Sequence, residues 1–370
     1  MKVEQGSGDA GLLSESAGQG SSYCASFSVH GHSGGASVNG SAATDCEVDS
    51  TLHCSISYAI RPFFWVIVVE NTRSRVSVII PCLNAAPYIA ATIQSVLAQT
   101  LPAAEILVVD DGSDDDSLAV LAGFGEQLQV FSQPNGGPAA ARNRAIAHAT
   151  GDFIAFLDSD DLWEPEKLAR QMAEFRAHPE TGLIYSEAIM FREEGDERTE
   201  LQRIGHTGDP TLRQLLFGDF IPNSTVIVRR EVIESTGPLN ESRDLVGVED
   251  YEYWMRIALQ HQMRGIAEPL AWYRIRAGNL MGSGTDIEKG LRLAKMALES
   301  IARRDPQIWK REGVDQARLL ARLHLRAGHA WRQRGEWGRW ARHNLNALAE
   351  CQHPRVWRWM VAAAILRRWS

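Results

Sequence analysis

The sequence predicts an α/β protein: a mostly parallel, Rossmann-like sheet flanked by helices, followed by an α-helical C-terminal extension. Two observations carry the first part. Short apolar runs alternate with helical stretches from Val76 to Phe191, the pattern of βαβ crossovers. Each run is followed by a polar cluster, and in such sheets ligands bind beyond the carboxyl ends of the strands. A third observation carries the extension, since from about Ile287 the pattern is helical to the end.

The elements follow in order. VSVIIP is a β-branched strand ended by Pro81, and Pro87 opens a helix to about Ala98, proline being favoured at a first helical position. AEILVV is a second strand, followed by a helix to about Phe124. QVFS, the turn NGGP and AAARNRAIAHA form a third strand–helix pair. GDFIAFL is a fourth strand, a helix begins near Pro165, and TGLIYSEAIMF is a fifth strand. The polar clusters are Asn84, Asp110 with Asp111, Gly136 with Gly137, and Asp158 to Asp161. Four clusters on one sheet edge predict a site there.

Composition divides the 370 residues into three materials. Residues 1–71 are rich in Gly and Ser and show no sustained period, so they are expected to be a disordered extension. A start at Val69 would leave nearly all of it out of the native protein. Residues 72–282 carry the strand–helix alternation and are expected to form the α/β domain, and 283–370 a helical, Arg/Trp-rich region. From Arg303 onward 15 basic residues face five acidic ones, and seven of the 11 Trp lie there. The whole chain nevertheless carries −8, which argues against nucleic acid as a partner. Five scattered cysteines without CxxC spacing suggest neither a disulfide framework nor zinc, and a cytoplasmic compartment is expected. No apolar leader is visible, and FFWVIVV is far shorter than the ~20 residues of a spanning helix.

Three carboxylates crowd into FLDSDDLW at Asp158, Asp160 and Asp161. They repel one another unless a cation or hydrogen-bond donors compensate. The segment is therefore an acidic turn or a metal site. A dinucleotide-binding domain is disfavoured, because PCLNAAPY follows the first strand where G-x-G-x-x-G would stand, and no phosphate loop of the G-x-x-x-x-G-K-[ST] type occurs.

VSVIIPCLNAAPYIAATIQSVLAQT, EILVVDDGSDDDS, NGGPAAARNRAI, GDFIAFLDSDDLWEPEKL and VGVEDYEYWMRIA together resemble glycosyltransferase family 2 in order and spacing. The resemblance runs from about Arg75 to Arg276. It implies the GT-A fold and an inverting enzyme that moves a sugar from a nucleotide-sugar donor, UDP-linked by preference, to a glycan or lipid-linked acceptor in cell-envelope or exopolysaccharide synthesis.

By resemblance, Asp160 and Asp161 lie nearest the ribose and an Mn²⁺ or Mg²⁺ cofactor, with Asp158 supporting. Hard oxygen ligands hold a cation that stabilises the charge of the departing diphosphate. Asp110 and chiefly Asp111 are placed at the nucleobase, and Pro81 and Asn84 line the nucleoside side. Arg142 is either a phosphate-facing guanidinium or a surface arginine. Asp250 of VEDYEYWMR is the implied general base. Glu249 is set about 100° away on the same helix, and Trp254, one turn on, is expected on the acceptor side with it. Arg256 is expected to anchor the helix by an ion pair. After LAWYRIR the family often carries YR-x-H; here Arg276 takes the His position. An arginine cannot ligate a cation but can pair with a diphosphate. A catalytically inactive nucleotide-sugar-binding homologue is the alternative reading. A sugar-phosphate nucleotidyltransferase would need a Gly-rich basic loop in place of PCLNAAPY. The tail is expected to form a helical hairpin, and residues 354–370 either pack on it or make peripheral contact with the inner face of the membrane through interleaved Trp and Arg.

Overall fold

A computed structural model of the chain describes residues 74–195, 197–276 and 287–351, with four three-residue strands in the first 75 residues. The chain divides into two units, Met1–Arg75 and Val76–Ser370. In the first, Cys24–Ser26 pairs antiparallel with Val66–Val68, and His30–His32 with Gly35–Ser37. The expected disorder of residues 1–71 and membrane contact of residues 354–370 otherwise lie outside the described residues.

In the second unit, strands β1 (Val76–Cys82), β2 (Glu105–Asp110), β3 (Gln129–Ser132) and β4 (Phe153–Phe156) form a parallel array in the order β3-β2-β1-β4. Helices α1 (Ile89–Leu97), α2 (Ser117–Ala122) and α3 (Pro138–His148) connect them. Ile79 faces one apolar cluster while Val78 and Ile80 face another, because successive strand residues point to opposite faces. Both faces are therefore covered, which suits the almost uninterrupted burial of β1. Helix α1 starts two residues later than the proline signal suggested. The Ala85 carbonyl accepts the N–H groups of Tyr88 and Ile89, so Pro87 sits inside the entering turn.

Beyond β4 the sheet is mixed. β5 (Leu162–Trp163) and α4 (Lys167–Ala177) precede the long hairpin of β6 (Thr181–Glu194) and β7 (Glu197–Ile204). After α5 (Leu212–Leu216), β8 (Ile227–Arg229) inserts antiparallel between β4 and β6. Helices α6 (Arg230–Thr236) and α7 (Glu249–Ala258) follow, and β9 (Gln262–Arg274) runs parallel to β6 and antiparallel to β5. The fifth strand read from the sequence is thus separated from the fourth by a three-residue strand too short to leave a periodic signal.

The extension consists of α8 (Ile287–Arg304), α9 (Ile308–Arg311), α10 (Gln316–Gln333) and α11 (Trp337–Glu350). Helix α8 puts Leu293, Ala297, Leu298 and Ile301 into the apolar cluster that contains Trp254. Helices α10 and α11 meet at Gly335, whose φ of 75° is one that glycine adopts without Cβ strain. Among α8, α10 and α11, Lys295 Nζ donates to His324 Nε2 (3.0 Å), His324 and His343 share an Nδ1–Nδ1 hydrogen bond (3.2 Å), and His343 Nε2 meets Glu288 (2.8 Å). Burial, then the Lys295 charge, pushes the His324 imidazole down to about 4, so it stands neutral near pH 7. No described helix is long and apolar enough to cross a membrane.

Candidate active site

The loops after β1, β2, β3 and β4 converge as the sequence pattern requires, but several side chains take roles other than those expected. After β1, Asn84 adopts φ 51°, a left-handed conformation that asparagine tolerates better than most residues. Its Oδ1 accepts the Asp114 N–H (2.9 Å) and its own N–H donates to Ser113 Oγ (3.0 Å), joining the first two loops. Pro81 is half-buried in β1 opposite Val109. Asp110, 2 % exposed, accepts the N–H of Ser113, three residues on (3.3 Å), which ties the loop back to the strand end.

Asp111 departs from its expected place at a nucleobase. Its carboxylate accepts Gln133 Nε2 (2.8 Å) and the N–H groups of Gly136 and Gly137 (both 2.7 Å). It is 2 % exposed and holds the turn into α3. Glycine is needed at both positions. Gly137 has φ 93°, and a Cβ on Gly136 would lie 2.8 Å from that of Ala140.

The crowding in FLDSDDLW is relieved by donors from distant segments. Asp158 Oδ1 accepts Arg142 Nη2 (2.7 Å) and Asn223 Nδ2 (2.8 Å). Asp160 Oδ2 accepts Arg276 Nε (2.6 Å). Asp161 is 1 % exposed, with Ser224 Oγ donating to Oδ2 (2.5 Å) and the Arg274 N–H to Oδ1 (2.9 Å). This corrects its assignment as a metal ligand: both oxygens are engaged inside the protein. Burial first, then the charges of Asp160 and Asp158, raises the Asp161 carboxyl well above the usual range. Ser224 also accepts the Asp158 N–H (3.1 Å). Removing one donor from a buried carboxylate costs about 1–3 kcal/mol. Ser224→Ala is therefore expected to lower unfolding free energy by that amount in a urea titration, and an unchanged midpoint would show that the contact contributes nothing.

Arg142 is not a surface arginine. It is 4 % exposed, with Nη1 donating to Glu249 Oε1 (2.6 Å) and Nη2 to Asp158. The sequence placed Glu249 on the acceptor side, but it is 3 % exposed, and its other oxygen accepts the Gly247 N–H (2.6 Å). Trp254 is corrected in the same way. It is fully buried, with its ring edge-on to Phe156 at 5.2 Å and 89°, so it packs α7 onto the end of β4. These residues turn inward because α7 is packed on most of its surface, with eight of its ten residues buried. Asp250, in the first turn of the helix, stays half-buried and accepts only its neighbour's N–H, Tyr251 (2.7 Å), among the described hydrogen bonds. Burial first, then the Glu249 and Asp219 charges, holds its carboxyl well above the usual range, against the opposing pull of Arg142. Arg256 does anchor α7, pairing with Glu252 (2.9 Å) and donating to the Pro238 carbonyl (2.8 Å).

Four contributors escaped the sequence reading. Asn223 and Ser224 form a single 3₁₀ turn, Asn223–Thr225, and carry no motif of their own. Arg274 Nε donates to the Asp160 carbonyl (2.7 Å), and its Nη1 pairs with Glu193. The Tyr88 ring lies 5.0 Å from the Arg274 guanidinium and 5.2 Å from that of Arg276.

Among the described residues no three His, Cys, Asp or Glu side chains converge as a metal cage. What the loop offers is Asp158 and Asp160, whose side chains are 28 % and 14 % exposed, hard oxygen donors at the carboxyl edge of the sheet. One or two carboxylates completed by phosphate oxygens and water are enough for Mg²⁺. The residues thus fit a cation held jointly with a diphosphate.

Known proteins place this arrangement. Residues 77–236 match the family model of glycosyl transferase family 2. A glycosyltransferase of Nostoc sp. of uncharacterized specificity is 34 % identical over 218 residues, covering 55 % of this chain and 66 % of that protein, so the chain spans just under two-thirds of that relative. TuaG of Bacillus subtilis, named for teichuronic acid biosynthesis, is 32 % identical over 217 residues, covering 56 % of this chain and 81 % of TuaG. A mannosyltransferase of Pyrobaculum calidifontis, solved with GDP-Man and Mn²⁺, superposes with a TM-score of 0.50 at 21 % identity, covering 79 % of this chain and 80 % of that one. That likeness shows the fold, and with the sequence matches it leads to one conclusion: the chain is a glycosyltransferase of family 2, built on the GT-A fold.

Proposed function

We propose that the chain transfers a sugar from a nucleotide diphosphate donor to a hydroxyl of a glycan or lipid-linked acceptor, with inversion at the anomeric carbon. The observation that carries this is the bridge from Asp158 through Arg142 to Glu249, which joins the diphosphate-side loop to the helix that carries Asp250. In this reading Asp250 accepts the acceptor's hydroxyl proton, the hydroxyl oxygen attacks the anomeric carbon, and the bond to the β-phosphate oxygen breaks with its electron pair leaving on the diphosphate. Pro81, Asn84 and Asp110 shape the nucleoside side. Asp160 would hold Mn²⁺ or Mg²⁺, whose charge, when bound, stabilises the departing diphosphate. A single base carboxylate without a second nucleophilic one fits single displacement.

The relationship to TuaG supports a role in cell-envelope polysaccharide synthesis. A cytoplasmic protein at the inner face of the membrane would meet both a nucleotide-sugar and a lipid-linked acceptor. Titration calorimetry of UDP, and then GDP, into the full chain with Mn²⁺ is expected to show saturable one-to-one binding for one of the two. Failure of both nucleotides to bind would reject the donor-site reading. With the donor so identified, the anomeric configuration of the product by NMR tests inversion.

A further inference from the structure

Helix α10 brings the extension to the Asp250 side of the site. Phe217 ends α5 and opens the loop Gly218-Asp219-Phe220, which runs on to the turn whose Asn223 and Ser224 hold Asp158 and Asp161. Arg326 Nη1 donates to the Phe217 carbonyl (2.8 Å), and the Arg322 guanidinium lies 5.1 Å from the centre of the Phe217 ring. Gly218 lets the loop pass against α10, since a Cβ there would lie 2.9 Å from Arg326 Nη1. The same stretch is tied to α7, because the Tyr251 hydroxyl donates to the Leu215 carbonyl (2.6 Å). Burial, then the Asp219 charge, raises that hydroxyl above its ordinary value, and the Arg326 charge opposes the rise. Asp219 is thus within electrostatic reach of the proposed base, and Arg326 of the residue beside it.

The two arginines carry charge that the protein itself does not answer. Both are exposed and stand one turn apart on α10, near neighbours on a helix surface. Neither pairs with a carboxylate among the described residues, whereas Arg318, one turn earlier, pairs with Asp315 (3.1 Å). Burial, then the Arg322 charge, lowers Arg326 from its ordinary value, so the two guanidinium groups are near enough to repel. A solvated pair would be free to swing apart. Here Arg326 is bonded to the loop and Arg322 lies on Phe217, which keeps both beside the approach to Asp250. Each guanidinium has five N–H donors; Arg326 uses one on the Phe217 carbonyl, and Arg322 meets only an aromatic face. An oxyanion relieves the repulsion, and the planar fork suits phosphate and carboxylate oxygens alike.

We propose that Arg322 and Arg326 bind an oxyanion, phosphate or carboxylate, carried by the acceptor, so that the acceptor is an anionic glycan. This rests on the reading above, in which Asp250 takes the proton of the acceptor hydroxyl. An anionic lipid surface would also attract two arginines, but it would not require them to be fastened to a loop that reaches the base.

The test uses the full chain with Mn²⁺ and saturating UDP or GDP, whichever binds, so that the diphosphate site is filled. Glucose 1-phosphate, glucuronate and glucose are then titrated by calorimetry. One of the two anionic probes is expected to bind about tenfold or more tightly than glucose, and which of them does so names the anion. Arg322→Gln, which removes no hydrogen bond within the protein, and Arg326→Gln are each expected to weaken that probe about tenfold. Arg318→Gln is expected to leave it unchanged. A nucleotide Kd within about threefold of the wild-type value in each variant separates lost charge from a collapsed site. Equal binding of charged and neutral probes by the wild type overturns the inference while leaving the donor site standing. A preference that survives in both Arg322→Gln and Arg326→Gln overturns it equally. Flotation with phosphatidylglycerol vesicles is the other arm: vesicle binding lost in both variants, with no preference among the sugar probes, assigns the pair to a membrane surface instead. If neither nucleotide binds, the donor-site reading falls and takes this inference with it.

Discussion

Asp250→Asn is expected to lower kcat by about 10²–10⁴ while leaving donor affinity nearly unchanged, the usual contribution of a positioned general base. The amide has almost the shape of the carboxylate but cannot accept a proton at neutral pH. Because Asp250 contacts only the Tyr251 N–H among the described hydrogen bonds, the change removes little that holds α7 in place. A variant retaining more than about a tenth of the wild-type rate would remove Asp250 from the base position.

The pH profile gives a second handle on this residue. A base works only when deprotonated, so the rate rises as pH rises through its pKa. The Asp250 carboxyl is held well above the usual range by burial and by Glu249 and Asp219. The ascending limb is therefore expected well above the value of about 4 typical of a free aspartate. Glu249→Gln removes a like charge and should move the limb to lower pH, whereas loss of the Arg142 charge should move it higher. Shifts of the same sign in both variants would point to general distortion.

Arg142→Met is expected to cost about 3–5 kcal/mol of folding stability, the usual result of leaving buried charges without their partner. The Glu249 carboxylate would remain 5 % exposed with only the Gly247 N–H as donor, and Asp158 would keep Asn223 and lose its cation. Chemical denaturation of Arg142→Met beside Arg142→Met/Glu249→Gln measures this. The second change should recover part of the loss, since it removes the stranded charge. If the single variant unfolds at the wild-type denaturant concentration, the bridge is not what ties the two halves of the site.

Much of the site could be read in the chain because strand ends and loop chemistry are local. The runs VSVIIP, EILVV and GDFIAFL each carry enough apolar residues to announce a buried strand, and the polar residues that follow have to emerge at its end. Family resemblance then linked Asp160 and Asp250 to one site. What could not be read is the set of partners. Arg142 lies 107 positions from Glu249, and Asp161 lies 113 from Arg274, and no local period encodes such pairs. The same limit produced the corrections at Asp111, Glu249 and Trp254. Each belongs to a motif, but a motif says that a residue matters and not which way its side chain faces. A three-residue strand such as β8 is likewise invisible, because its place depends on two neighbours already being formed.

The sequence by itself therefore determined the βαβ alternation, the sheet edge that carries the polar loops and the Asp-rich segment on it, since these follow from backbone periodicity and turn chemistry. Only the tertiary structure decided which carboxylates stay available at the site. Asp111 and Asp161 are consumed by buried amide and hydroxyl donors and Glu249 by a buried guanidinium, Asp250 remains half-exposed, and Asp160 meets Arg276. The reason is physical: removing a carboxylate from water demands compensating donors, and the donors come from segments that only folding brings together.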